Sequence, residues 1–205
     1  MKRFLFTTAL ICAMSSSAIA QPAKITFPLG DVKVQSADGG KAEKAGFNQE
    51  VAQGEVVITG GGARAEVVFQ DKLVARMDGN SSLKLTNISQ PQKVLEQVKG
   101  SAWINSNESD ARCRVTGPHA DISLQKATVQ IQANEGGTTT VWVYSGTATV
   151  KPAANAQVKD WTEVVASQQR IVINKDGSYQ KSDFNPDDEK SSWLKWNRER
   201  DKMND

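Results

Sequence analysis

Between residues 24 and 181 polar and apolar side chains trade places in short runs. Ala63-Arg64-Ala65-Glu66-Val67-Val68-Phe69, Ser82-Leu83-Lys84-Leu85-Thr86, Thr128-Val129-Gln130-Ile131-Gln132 and Thr140-Val141-Trp142-Val143-Tyr144 all alternate. A period of two puts every second side chain on one face, the pattern of half-buried β-strands. Turn chemistry separates the runs: Asp38-Gly39-Gly40, Gly60-Gly61-Gly62, Asp78-Gly79-Asn80, Gly117-Pro118, Glu135-Gly136-Gly137 and Asp176-Gly177. Glycine and Asx residues cluster there because tight turns need positive φ. The predicted class is all-β. A weaker pattern, Gly-x-(Val/Ala)-x-(Val/Ile), starts at Gly30, Gly54, Gly100 and Gly146, spaced by one unit of about 23 residues and then by two double units. Repeats of that length point to stacked β units, each covering its neighbour. The expected architecture is therefore a twisted, β-solenoid-like or sandwich-like stack of short strands.

Both ends depart from alternation. Met1-Lys2-Arg3 is a basic start, residues 4–14 are apolar, and Ala18-Ile19-Ala20 supplies small residues for cleavage before Gln21. Residues 1–20 are thus predicted to be a signal peptide, and residues 21–181 the β domain. In residues 182–205 Asn185-Pro186 opens a segment with Asp187, Asp188 and Glu189 ahead of Arg198, Arg200 and Lys202. Proline and acids first, bases last, predict a helix from about Pro186. Trp193, Trp196 and Arg200 recur at i, i+3 and i+7, so this amphipathic C-terminal α-helix carries them on one face. Two tryptophans are too apolar to leave in water. They pack either on the domain itself or on a partner, and these three residues are the candidate partner-binding set.

Charge changes the picture only once the leader is removed. Cleavage shortens the chain from 205 residues to 185 and takes Lys2, Arg3 and Cys12, so the 25 basic side chains fall to 23 and match the 23 acidic ones. A neutral protein has no bulk field for polyanions, which argues against nucleic acid as partner. No stretch of the mature chain has the roughly 18 apolar residues of a transmembrane helix. Cys113 is left without an intramolecular partner and reads as a small buried hydrophobe. Cys12 follows bulky Ile11 in mid-run, an unsuitable context for a lipidated cysteine.

Catalytic motifs are scarce. His119, the sole histidine, lies in Gly117-Pro118-His119-Ala120-Asp121 and is expected to be an exposed turn or strand residue. No Gly-x-Ser-x-Gly elbow accompanies it. One His and one Cys fall short of a standard zinc set, and the glycines at 60–62 are not followed by Gly-Lys-Ser/Thr. The expectation is no enzyme and no cofactor or metal.

From Leu29 to Tyr179 the blocks resemble the FecR-type domain family. Gly54-Glu55-Val56-Val57-Ile58-Thr59-Gly60 is similar to its Gly-(Asp/Glu)-x-(Ile/Val)-x-Thr-(Gly) segment, and residues 63–69 to the small-residue strand after it. Asn80-Ser81-Ser82-Leu83-Lys84-Leu85, Gly100-Ser101-Ala102-Trp103, Arg114-Val115-Thr116-Gly117-Pro118 and Val143-Tyr144-Ser145-Gly146-Thr147-Ala148-Thr149-Val150 follow in family order. Trp196-Asn197 and Arg200-Asp201 resemble the ending of stand-alone members. Two departures stand out: Ala127-Thr128 replaces the usual Gly-Thr, and Gln70-Asp71-Lys72 the commoner Asp-Gly turn. Classical members resemble anti-sigma regulators with a cytoplasmic helical module and a membrane span, neither of which is expected here. The resemblance implies an all-β sensing module. The expected function is non-enzymatic binding of another envelope protein, in the periplasm or after secretion, with oligomeric state left open. The alternative is a carbohydrate- or peptidoglycan-binding β module in which Trp103, Trp142 or Trp161 stacks on sugar faces.

Overall fold

Alternation becomes strands wherever it was expected. The computed structural model describes residues 22–109, 112–134 and 136–204; the expected signal peptide, with Cys12, lies outside them. The first eight strands are short: β1 (Ala23–Leu29), β2 (Val32–Gln35), β3 (Glu43–Lys44), β4 (Gln49–Val51), β5 (Val56–Thr59), β6 (Arg64–Val68), β7 (Val74–Met77) and β8 (Ser82–Asn87). Then come β9 (Gln92–Asn105), β10 (Arg112–Thr116), β11 (Ala120–Asn134) and β12 (Thr138–Pro152), followed by β13 (Glu163–Ala166), β14 (Gln169–Asn174), β15 (Tyr179–Asp183) and the helix α1 (Ser192–Asn204).

All fifteen strands belong to one hydrogen-bonded network, yet that network folds over itself. The first half of β9 pairs with β8 and β10, while its second half pairs with β7 and β11. In the same way β12 lies beside β14 up to Val143 and beside β13 from Thr147. The pairings resolve into two facing layers. One runs β4–β1–β6–β7–β9–β11–β12–β14–β15; the other runs β3–β2–β5–β8–β9–β10–β11–β12–β13. Inward positions of both, such as Ile25, Val67, Ile104 and Val141 from the first and Val57, Leu95, Ile122 and Val150 from the second, form one buried cluster. Each such side chain contributes about 1.5–3 kcal/mol on burial.

The expectation of short strands needs correcting at β9, β11 and β12, which have 14, 15 and 15 residues and serve both layers. Each bends at a corner where its inward parity switches. In β9 it passes from Leu95 and Gln97 to Ala102 and Ile104, and in β12 from Val141 and Val143 to Ala148 and Val150. An extra residue at a bulge allows the switch. The repeated glycines mark such corners, with φ of +78° at Gly30, +90° at Gly54, +82° at Gly100 and +71° at Gly146. At Gly146 a Cβ would lie 2.2 Å from the Lys126 carbonyl oxygen, and at Gly100 one would lie 2.3 Å from Ser81 Oγ. Only glycine lets the backbones approach so closely.

The helix also begins later than predicted. Asn185, Asp187 and Asp188 form a turn in which Asn185 Oδ1 accepts from Asp187 N–H at 3.1 Å, and no acid occupies the first turn of α1. Ser191 caps the helix instead, its Oγ accepting from Leu194 N–H at 3.1 Å.

Candidate functional site

Outward positions of the first layer line up across eight strands. Phe27 stands opposite Glu66, Glu66 opposite Arg76, Arg76 opposite Trp103 and Trp103 opposite Gln130. Gln130 in turn faces Trp142, Trp142 faces Arg170 and Arg170 faces Ser182. In an open sheet this row would be solvated. Here α1 lies over its first half.

The docking face of α1 consists of Trp193, Trp196, Asn197, Arg200 and Asp201. Trp193 and Trp196 stack on each other with ring centroids 5.4 Å apart, and Trp196 lies 5.7 Å from Phe27. The Arg64 guanidinium lies over both indoles, 5.6 Å from one centroid and 5.3 Å from the other. Arg200 donates to both oxygens of Glu66 at 2.9 and 2.7 Å, a bidentate pair, and lies 4.6 Å over the Phe27 ring. Asp201 accepts from Arg76 Nη1 at 2.6 Å, Trp103 Nε1 at 3.1 Å and Asn105 Nδ2 at 3.0 Å.

Beneath the helix the charges are nearly dry. The Arg76 side chain is 0% exposed and that of Glu66 2%, with Arg76 Nε donating to Glu66 Oε2 at 2.7 Å and Thr26 Oγ1 to Oε1 at 2.8 Å. Burial alone would raise the Glu66 carboxyl. Hydrogen bonds from Arg200, Arg76 and Thr26 outweigh it and hold the group at about 2, below its ordinary 4.5. Arg76 Nη2, Asn197 Oδ1 and Trp193 Nε1 are buried without a hydrogen-bond partner. The linker from β15 is fastened as well. Tyr144 donates to Glu189 at 2.9 Å and meets Phe184 edge-on at 5.3 Å, and burial together with the Glu189 charge pushes its hydroxyl up.

The structure therefore brings Trp193, Trp196 and Arg200 together on one helical face, as their spacing predicted, and turns that face onto the chain's own sheet. Trp193 is buried and Trp196 half-buried. Of the residues that receive them, Glu66 and Arg76 escaped sequence reasoning because a charge at an alternating position looks solvated, and Trp103 was expected on a sugar-binding face instead. Of the other tryptophans, Trp103 is 2% exposed under α1. Trp161 packs on Tyr179 at 4.2 Å and donates to the Gly177 carbonyl. Trp142 remains half-buried on the open half of the row.

His119 is buried rather than exposed, which corrects the sequence expectation: its Nδ1 lies 3.2 Å from Thr139 Oγ1. Burial and the Lys175 charge push its imidazole below the ordinary value, against a hydrogen bond that the ring donates to the Thr138 backbone. It borders a surface pocket of about 510 Å³ with Pro118, Asn155, Gln157, Lys175 and Asp176. Cys113 is buried, and burial pushes its thiol up to about 12. Nearby Lys93 Nζ meets Asp71 Oδ2 at 2.6 Å inside the domain. Among the described residues no group of three His, Cys, Asp or Glu side chains is placed to hold a metal ion.

The decisive comparison is with protein families: the model described as FecR protein matches residues 55–149. This stretch is similar to a FecR domain. It runs from the start of β5 into β12 and contains Glu66, Arg76, Trp103, Asn105 and Tyr144, whereas α1 lies beyond it. Two crystal structures of a candidate anti-sigma factor from Parabacteroides distasonis ATCC 8503, at 1.65 and 2.50 Å resolution, share the fold with a TM-score of 0.55. They are 17% and 16% identical to this chain over 63% of its length and 60% of theirs. The chain thus spans about three fifths of those proteins, and the likeness is one of fold. No curated protein matches.

Proposed function

We propose that this FecR-type sensing module acts by binding another protein of the cell envelope, in the periplasm or outside the cell, and that it does so without catalysis. Trp193, Trp196 and Arg200 are held against the domain's own sheet, so the contact is assigned to a sheet end. Phe47 carries this reading. Its ring is 72% exposed, and it sits in the short connection between β3 and β4, which are edge strands of the two layers. A bare aromatic beside unpaired strand edges combines an anchor with backbone donors and acceptors for a partner strand. The opposite end is closed by its own side chains: Tyr179 and Lys181 on β15 reach Glu163 on β13 at 2.7 and 2.6 Å.

A photo-crosslinking residue at position 47 tests the assignment in cells, with position 180 on β15 as the control. A single discrete adduct at 47 that is absent at 180, and lost when unlabelled protein competes but not when a Phe47→Asp competitor is used, supports it. Equal labelling at both positions, or no adduct at 47, refutes it. Absence of turnover on ester, glycoside and peptide panels is the outcome expected of the folded protein.

A further inference from the structure

Trp142 stands on the half of the outward row that α1 leaves open. Directly opposite it on β14 is Arg170, and on the next step of the strands Gln132, Thr140, Val172 and Gln180 share the same face. Neighbouring strands lie about 4.8 Å apart, so these side chains form a shallow platform with one indole amid amides, hydroxyls and a guanidinium. Arg170 Nε donates to Ser182 Oγ at 3.0 Å, which orients the guanidinium. No carboxylate among the described residues lies within ion-pair distance of Arg170. The contrast with the covered half is sharp: there each arginine has an acid, and here none of the described acids pairs with the arginine.

We infer that this face binds acidic saccharide, a uronate-bearing segment whose pyranose ring lies on Trp142 and whose carboxylate meets Arg170. The ring face of an indole is electron-rich and attracts the polarised C–H groups of a sugar. The guanidinium fork matches a carboxylate in two hydrogen bonds. Side-chain amides offer both donors and acceptors to sugar hydroxyls. Charge complementarity selects the occupant: among the described residues no acid is ion-paired with Arg170, while the nearby linker acids are engaged, Glu189 by the Tyr144 hydroxyl at 2.9 Å and Asp187 by Arg198 at 3.3 Å. The binding is independent of the Phe47 contact, which lies at the far end of the same layer.

Calorimetric titration of the folded protein with tetragalacturonate tests the inference, with cellotetraose as the neutral sugar and poly-glutamate as the sugar-free anion. Tetragalacturonate is expected to bind, cellotetraose at least about tenfold more weakly, and poly-glutamate not at all. Trp142→Ala and Arg170→Gln should each weaken tetragalacturonate binding at least about tenfold. Arg170 is exposed, so its variant stays informative if Trp142→Ala proves unstable. Undetectable heat with tetragalacturonate, equal binding of poly-glutamate, or unchanged affinity in a folded Arg170→Gln protein overturns the assignment. Crosslinking at position 47 is unaffected by either variant, so the two sites fail separately.

Discussion

Replacing Glu66 with glutamine removes one charge from beneath α1 with almost no change in shape. Its carboxylate is the common acceptor for Arg76 and Arg200 and is nearly dry. Two routes give the size of the effect. Removing one member of a buried ion pair costs about 3–5 kcal/mol, because the partner charge stays buried. Proton linkage gives a second figure: the folded carboxyl titrates near 2 against an ordinary 4.5, and at 1.36 kcal/mol per unit that is about 3 kcal/mol. A lowered folded pKa means that this stability is fully present above 4.5 and disappears as pH falls towards 2. Urea unfolding at pH 7 should therefore place Glu66→Gln about 3 kcal/mol below wild type with an unchanged m-value, and its Tm about 6–12 °C lower. The gap should shrink to less than about half by pH 3. A gap below about 1 kcal/mol at pH 7, or one that does not change with pH, would refute this account of the network.

Gly146→Ala should lower stability by at least about 2 kcal/mol more than Gly39→Ala in thermal unfolding. Both glycines have positive φ, but a Cβ at Gly39 meets nothing within 4 Å; equal losses would mean that the corner is not close-packed. Cys113 should resist a thiol reagent near pH 8 while the protein is folded and react fully in concentrated guanidinium, since burial holds the thiol protonated; prompt labelling of the native state would contradict this. Trp193→Ala should cost about 3–5 kcal/mol in urea and Trp196→Ala clearly less, in step with their burial; the reverse order would mean that the helix docks through the outer indole. N-terminal sequencing of the protein purified from its native cells should begin at Gln21, and retention of Met1 would refute the predicted cleavage.

The strands were legible because one face of each is buried, and burial is what imposes a period of two. The Gly-x-Val repeat was legible too, although its meaning was not. It announces corners, where a chain crossing between layers needs a left-handed residue without a Cβ. The length of β9, β11 and β12 was hidden by those corners, since a switch of inward parity at Gly100 or Gly146 looks like the end of one strand and the start of another. At the tail, Asn185-Pro186 and the following acids imitate a helix start but serve a turn, while the true signal was Ser191 just before Trp193. Of the docking site, the helical half could be read from the spacing of its tryptophans. Its receptor could not, because Glu66, Arg76 and Trp103 meet only through cross-strand register, which no local pattern encodes.

The three bent strands deny the two layers separate lifetimes. A rupture that frees the first half of β11 from β10 also loosens the anchor of its second half between β9 and β12, because one backbone carries both. Amide exchange in those strands should therefore rise and fall as a single cooperative block, with the short outer strands opening first. A domain wired in this way transmits a pull on either layer to the other without any hinge, and it holds the outer face that carries α1 in fixed register with the edges at both of its ends.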